Sequence, residues 1–225
     1  MTTPQLILAV LVLGTAILTS SAAGATPNPQ STPAEAGPVL TRTVTVVKSK
    51  APWYAFNFLL VREFNKVVPV YQQVNGLEFK AFHSIATKEG KFFGGIYLWA
   101  SEAQARTWYS PTWFADVERK RGRRPTVDYY ALVDEARFVG PTFDYRAAES
   151  SCVTVFAHAL TPAQRPQCLL PQAGLLRTYV VRETNGQEGA LLLFATADKA
   201  ASFLKKQQVQ GYEWFTTPVL LNNAR

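Results

Sequence analysis

The sequence predicts an α+β fold: two tandem units of order β-α-β-β-α-β, packed sheet to sheet within one chain. Three observations predict it. A unit occurs twice, since "GGIYLWASEAQARTWY" (Gly94 to Tyr109) is echoed by "GALLLFATADKAASFL" (Gly189 to Leu204). Gly94 matches Gly189, Trp99 matches Phe194, Ser101 matches Thr196, Ala105 matches Ala200 and Trp108 matches Phe203. Strand-like runs and helical spacings then follow the same order around each copy. Finally, Ile96 to Trp99 and Leu191 to Phe194 are apolar on both alternating faces, as in strands buried on both sides. A four-stranded sheet with helices on one face must cover the other, and a second unit can do so.

In the first unit, the aromatic run Trp53 to Leu60 reads as the opening strand. Phe64, Val67, Val68, Tyr71 and Val74 follow at helical spacing, with Pro69 as a kink or late start. Leu77 to Ser84 is the second strand, Lys88 to Lys91 a turn, and Gly94 to Trp99 the third strand. Ser101 and Gln104 form a capping box. The helix behind it sets Ala105, Trp108 and Tyr109 on one face. Ser110-Pro111 starts another helix, with Trp113, Phe114 and Val117 inward and Gly122 as its stop. Thr126 to Asp134 is the fourth strand. This order is the split βαβ, ferredoxin-like motif.

The second unit repeats the order. Cys152 to His158, Leu175 to Glu183, Gly189 to Phe194 and Tyr212 to Leu221 are strands. Thr161-Pro162 caps a short helical turn, and Thr196 caps a helix with Ala200, Phe203 and Leu204 inward. Gly174 matches Gly76, and Asn185-Gly186 marks a hairpin.

The 225 residues carry a net charge of +7 and 48% apolar residues, enough for a sizeable core. The apolar run Leu6 to Leu18 is short for a membrane span and leads to Ala23-Gly24-Ala25, an A-x-A pattern. Residues 1–25 therefore read as a secretory signal peptide, although their start carries no Lys or Arg. An uncleaved anchor or a misassigned start is the alternative. Residues 26–40 read as a flexible linker, 41–145 as the first unit and 146–225 as the second. The expected location is secreted or periplasmic, with no stable membrane span after cleavage. In an exported chain, Cys152 and Cys168 suggest a disulfide, against the alternative of two buried thiols. Cys152 starts a strand and Cys168 lies near the end of the segment returning antiparallel to it, which would bring them close. Neither has a His or Cys neighbour at metal-ligand spacing, so no metal is expected.

"GLEFKAF…FGGIYLWASEAQARTW" resembles the YdhR-like group of mono-oxygenases in the dimeric α+β barrel superfamily. Gly76, Leu77, Lys80, Gly94, Gly95, Ile96, Tyr97, Leu98 and Ala105 carry the resemblance, over roughly residues 50 to 140. The second unit departs from it, with Thr178 in place of Lys80 and Ala190 in place of Gly95. The resemblance implies an intramolecular α+β barrel of two ferredoxin-like units. It also implies O₂ chemistry on small aromatic or quinone-type compounds, without metal, flavin or other cofactor, in a pocket between sheet and helices. The alternative is a non-catalytic binding module for haem or another apolar ligand. A barrel closed within one chain is compatible with a monomer.

His83, on the second strand with Leu77, Phe79 and Ala81, is the candidate base. A backbone-bonded strand-end histidine is the plainer reading, and the stronger one for His158. Lys80 or Asn57 would hold a substrate oxygen, Asn57 as a polar break in the first strand; the plainer readings are a lysine snorkelling to the rim of the sheet and an asparagine satisfying a backbone group. Tyr97, Trp99, Trp108 and Trp113 would wall a pocket for a flat apolar ligand, or simply form core. Four of five tryptophans fall in the first unit, which places the pocket there. The run Arg119 to Arg124 resembles a nucleic-acid cluster, but helix-end cations explain it and no nucleic-acid partner is expected.

Overall fold

The computed structural model describes residues 41–52, 55–140, 142–145 and 151–223. The signal peptide and linker expected at 1–40, and Trp53, lie outside the described residues.

The first strand, β1, is Thr43–Lys50, where TVTVVKSK supplies β-branched residues on both faces. A helix follows, α1 (Asn57–Gln72), which buries Leu60, Phe64, Val68 and Tyr71 as one stripe and runs through Pro69. This corrects the strand expected at Trp53 to Leu60. Aromatic content suggested β structure there, but the spacing of the helical stripe carries back to Leu60.

Next come β2 (Leu77–Thr87) and β3 (Gly90–Trp99). Then α2 (Glu102–Trp108) begins at Ser101, whose hydroxyl accepts the Gln104 N–H. The helix α3 (Pro111–Arg121) begins at Ser110 and stops at Gly122, in the left-handed region at φ 72°. The strand β4 (Thr126–Arg137) ends the first half. The second half comprises β5 (Val153–Ala157), α4 (Gln164–Cys168), β6 (Leu175–Arg182), β7 (Glu188–Phe194), α5 (Ala197–Gln207) and β8 (Tyr212–Asn222). Thr196 caps α5, accepting the Lys199 N–H.

The strands close into one eight-stranded barrel in the order β1-β3-β2-β8-β5-β7-β6-β4, every pair antiparallel. The first half contributes β4-β1-β3-β2 and the second β8-β5-β7-β6. The halves meet along both edges, Ala81 opposite Leu220 at one seam and Glu135 opposite Tyr179 at the other. They are thus joined edge to edge, and no strand edge is left open.

Alternation along the strands creates three apolar bodies. Val44, Val46, Phe79, Ile96, Leu98, Phe156, Tyr179, Leu191 and Phe215 fill the barrel from all sides. Outside the first half, Leu60, Phe64, Tyr71, Phe82, Tyr97, Trp99 and Tyr109 pack between sheet and helices. Outside the second half, Val155, Leu192, Phe194, Phe203 and Leu204 do the same.

The cysteines correct a further expectation, because no disulfide links them. Cys152 belongs to the barrel interior and Cys168 to the helix layer outside the second half. The wall of the barrel lies between the two thiols, and burial pushes Cys168 up to about 11. Among the described residues, no helix is long and apolar enough to cross a membrane, and no group of three His, Cys, Asp or Glu could hold a metal.

Candidate functional site

Outside the first half, a lysine sits where an apolar residue would be expected. Lys80 stands on the outward face of β2 beside Phe82, and only 1% of it is exposed. Its Nζ lies 3.0 Å from the centroid of the Tyr71 ring, 3.8 Å from Phe82 and 4.4 Å from Tyr97. The aromatic faces attract the ammonium, but burial dominates and holds its pKa well below the usual lysine range.

Gly95 on β3 makes this cage possible. A Cβ there would lie 2.9 Å from Lys80 Cε and 2.8 Å from the Tyr97 ring. The second half has Ala190 at the corresponding place and Thr178 instead of lysine, its hydroxyl donating to the Cys168 carbonyl at 2.7 Å. The two departures noted in the sequence are thus one physical change: without a lysine to admit, the glycine is not needed.

A polar chain runs through the aromatic residues around the cage. The Tyr97 ring lies 6.0 Å from that of Tyr71 and meets that of Tyr109 edge-on at 5.8 Å. Tyr109 Oη lies 3.0 Å from Thr45 Oγ1, and the Trp99 indole donates to that same oxygen at 3.0 Å. Burial raises all three tyrosines, Tyr97 and Tyr109 well above the usual range, so they remain neutral donors. Trp108 packs 5.6 Å from Tyr71 and 6.3 Å from Trp99, and its buried Nε1–H has no partner. Trp113 stands half-buried, 5.0 Å from Tyr109.

His83 lies on the other side of the wall. It points into the barrel, fully buried, with its ring 4.6 Å from Phe215. Its Nε2 donates to the Val47 carbonyl at 3.0 Å, an assignment that leaves Nδ1 bare, and Nδ1 has no partner. Burial and the nearby Lys48 charge lower its pKa to about 3, against the pull of the Val47 bond. Gly94 permits the contact, since a Cβ there would come within 1.9 Å of the Val47 oxygen.

Beyond His83, Lys48 pairs with Glu213 at 2.6 Å, and His158 approaches Glu213 and Glu183 at 3.5 and 3.8 Å. Burial would raise Glu213, but the approach of His158 and the hydrogen bond and charge of Lys48 outweigh it and hold the carboxyl at about 2.

The expected single site therefore divides. Lys80, Tyr97, Trp99, Trp108 and Trp113 gather in one layer, and His83 is excluded from it. Residues 80 and 83 differ by an odd number, so a strand sends them to opposite faces. Leu77 is not on the His83 face either, because a bulge between Leu77 and Phe79 shifts the alternation. Asn57 is corrected as well: it opens α1 at the surface, accepting from Lys91 Nζ at 2.6 Å. Thr45, Tyr71, Phe82 and Tyr109 were not anticipated as site residues. Tyr71 and Tyr109 were legible as inward-facing helix positions, but their place beside Lys80 depends on how the helices dock.

No family model and no curated protein matches the sequence. Solved structures do match. A protein of Fusobacterium nucleatum subsp. nucleatum, described as a putative monooxygenase, aligns at TM-score 0.57 with 7% identity, over 82% of this chain and 95% of its own. A putative monooxygenase from Lactobacillus acidophilus aligns at 0.55 with 7% identity, over 81% and 97%. The chain shares their fold. An anthrone oxidase-like protein aligns at 0.48 with 9% identity, over 83% and 94%. At these identities the likeness concerns architecture: a mixed α+β chain with an antiparallel sheet. The two putative monooxygenase alignments span nearly the whole neighbouring chain, so a single chain of either neighbour corresponds to both halves of the barrel.

Proposed function

We propose that the chain is an exported, monooxygenase-like oxidoreductase of the YdhR-like kind, acting on small aromatic or quinone-type compounds. In this reading two tandem ferredoxin-like units form an intramolecular dimeric α+β barrel. The first unit holds the site and the second closes the barrel. The observation that carries the reading is the buried Lys80, held well below its usual pKa inside the Tyr71, Phe82 and Tyr97 cage. Trp108, whose indole N–H is unpartnered, packs 5.6 Å from Tyr71.

A flat phenolic ligand entering between sheet and helices takes the place of the Tyr71 ring against Lys80. The Lys80 amine accepts the phenolic proton, and Trp108 Nε1 donates to an oxygen of the ligand. An electron-rich phenolate reduces O₂ directly. A ring carbon forms a bond to oxygen, the O–O bond breaks, and the second atom leaves as water with the ring and phenolic protons. A hydroquinone plus O₂ thus gives a hydroxyquinone plus water, the ring supplying all four electrons. The balance closes without another reductant. Closure of aromatic walls around the ring keeps water from the phenolate.

Oxygen uptake with hydroquinones tests this. Replacing Lys80 by Met removes the base while filling the cage, and lowers uptake at least about 100-fold. The variant stays folded, because an apolar side chain suits the site better than an amine. His83→Gln, on the far side of the wall, keeps uptake within about twofold of wild type, well inside the range expected without a lost base. Wild-type uptake in Lys80→Met, or its loss in His83→Gln, overturns the assignment.

A further inference from the structure

We propose that the barrel interior, at the end where β2 and β6 begin, binds a carboxylate or similar planar oxyanion through Arg177 and Tyr179. Arg177 faces inward on β6 with Tyr179 and Val181, and none of it is exposed. Its Nη1 donates to Asn222 Oδ1 at 3.4 Å, while Nε and Nη2 are buried without partners. Those two nitrogens form one complete edge of the guanidinium. Their N–H bonds run parallel, in the arrangement that grips both oxygens of a carboxylate. The Tyr179 hydroxyl, two residues along the same face, is also buried without a partner. It supplies a third donor.

The surroundings favour an anion with an apolar body. The guanidinium lies 4.3 Å from the centroid of Phe79 and 5.3 Å from Tyr179. Tyr145 packs edge-on to Phe79 at 5.8 Å, and Phe143 to Tyr145 at 5.0 Å, so aromatic rings close this end. The nearby carboxylates Glu78 and Glu135 are both paired with Arg42. A buried guanidinium charge without an anion is strongly unfavourable. An oxyanion on the open edge removes that penalty. The position is at the opposite end of the barrel from His83 and across the wall from Lys80, so it extends the account beyond the oxygenase site.

Titrate the full chain with acetate and with benzoate at constant ionic strength, reading the unfolding midpoint and binding heat. Use chloride and acetamide as controls. At least one carboxylate raises the midpoint saturably, and the controls do not. Tyr179→Phe binds about tenfold more weakly, the loss of one charge-assisted hydrogen bond. Arg177→Met shows no saturable binding yet remains folded. Arg177→Lys keeps the charge without the planar fork and binds at least about tenfold more weakly, so the test survives if the methionine variant does not fold. Three results overturn the proposal: no saturable shift with either carboxylate, an equal shift with chloride, or wild-type binding in both Tyr179→Phe and Arg177→Lys.

Discussion

Gly94→Ala destabilises the protein by about 3 kcal/mol or more, an overpacking cost at the upper end of its range. The added methyl would stand 1.9 Å from the Val47 oxygen and 2.8 Å from its carbonyl carbon. These are backbone atoms of a neighbouring strand, so relief requires β1 and β3 to separate. Two other glycines set the scale. At Gly95 the obstacles are the Lys80 and Tyr97 side chains, which can shift, and an alanine costs about 1 kcal/mol. At Gly122 nothing lies nearby and only the left-handed conformation, φ 72°, resists, again by about 1 kcal/mol. Urea unfolding of the three variants checks the order. Equal losses at Gly94 and Gly122 would mean that Val47 does not crowd β3.

Acid weakens the fold through His83. Its pKa is about 3 in the folded protein against an ordinary 6.5. Below pH 6.5 the unfolded chain takes up a proton that the folded protein refuses until about pH 3. The stabilising term is complete above the upper value and is lost as pH falls toward the lower one. Two pH units into that window the loss is about 2.7 kcal/mol. Glu213, held near 2 against an ordinary 4.5, acts in the same direction but lower, its contribution fading as pH falls through about 2. Comparing stability at pH 7.5 with about pH 4.5, two units into the histidine window and at the upper edge of the Glu213 one, therefore reports mainly the histidine. His83→Gln, which can keep a donor to Val47, shows most of that acid loss removed. If the variant loses as much stability as wild type over the same interval, His83 is not the buried neutral group described here.

Much of the fold was legible in the sequence, for a physical reason. Where hydrophobic periodicity and end chemistry agreed, as at Ser101, Ser110, Gly122 and Thr196, helices and their boundaries fell as expected. Trp53 to Leu60 reads as a strand by aromatic content, whereas the helical spacing that extends back to Leu60 decides the structure from Asn57 on. The strand reading also hides β1, whose TVTVVKSK pattern stands just before. The edge-to-edge seams were not readable, because strand pairing between halves depends on register that no local run specifies.

The site was partly legible. Lys80, Tyr97, Trp99, Trp108 and Trp113 do share one layer. The parity of 80 against 83 already argued against joining His83 to them. The roles of Gly94 and Gly95, one opening the inner face and one the outer, needed three dimensions. Arg177 carries a signal legible in the sequence: a charged residue within the apolar strand run LLRTYVV.

In the proposed reaction the ligand binds outside the barrel wall, against Lys80, and His83 takes no part. A crystal structure with a bound non-oxidisable phenol tests it most directly. Ring density is expected between sheet and helices, with the phenolic oxygen in hydrogen-bond reach of Lys80 Nζ and Trp108 Nε1. Density inside the barrel against His83 Nδ1, with the Lys80 cage unchanged, would contradict it.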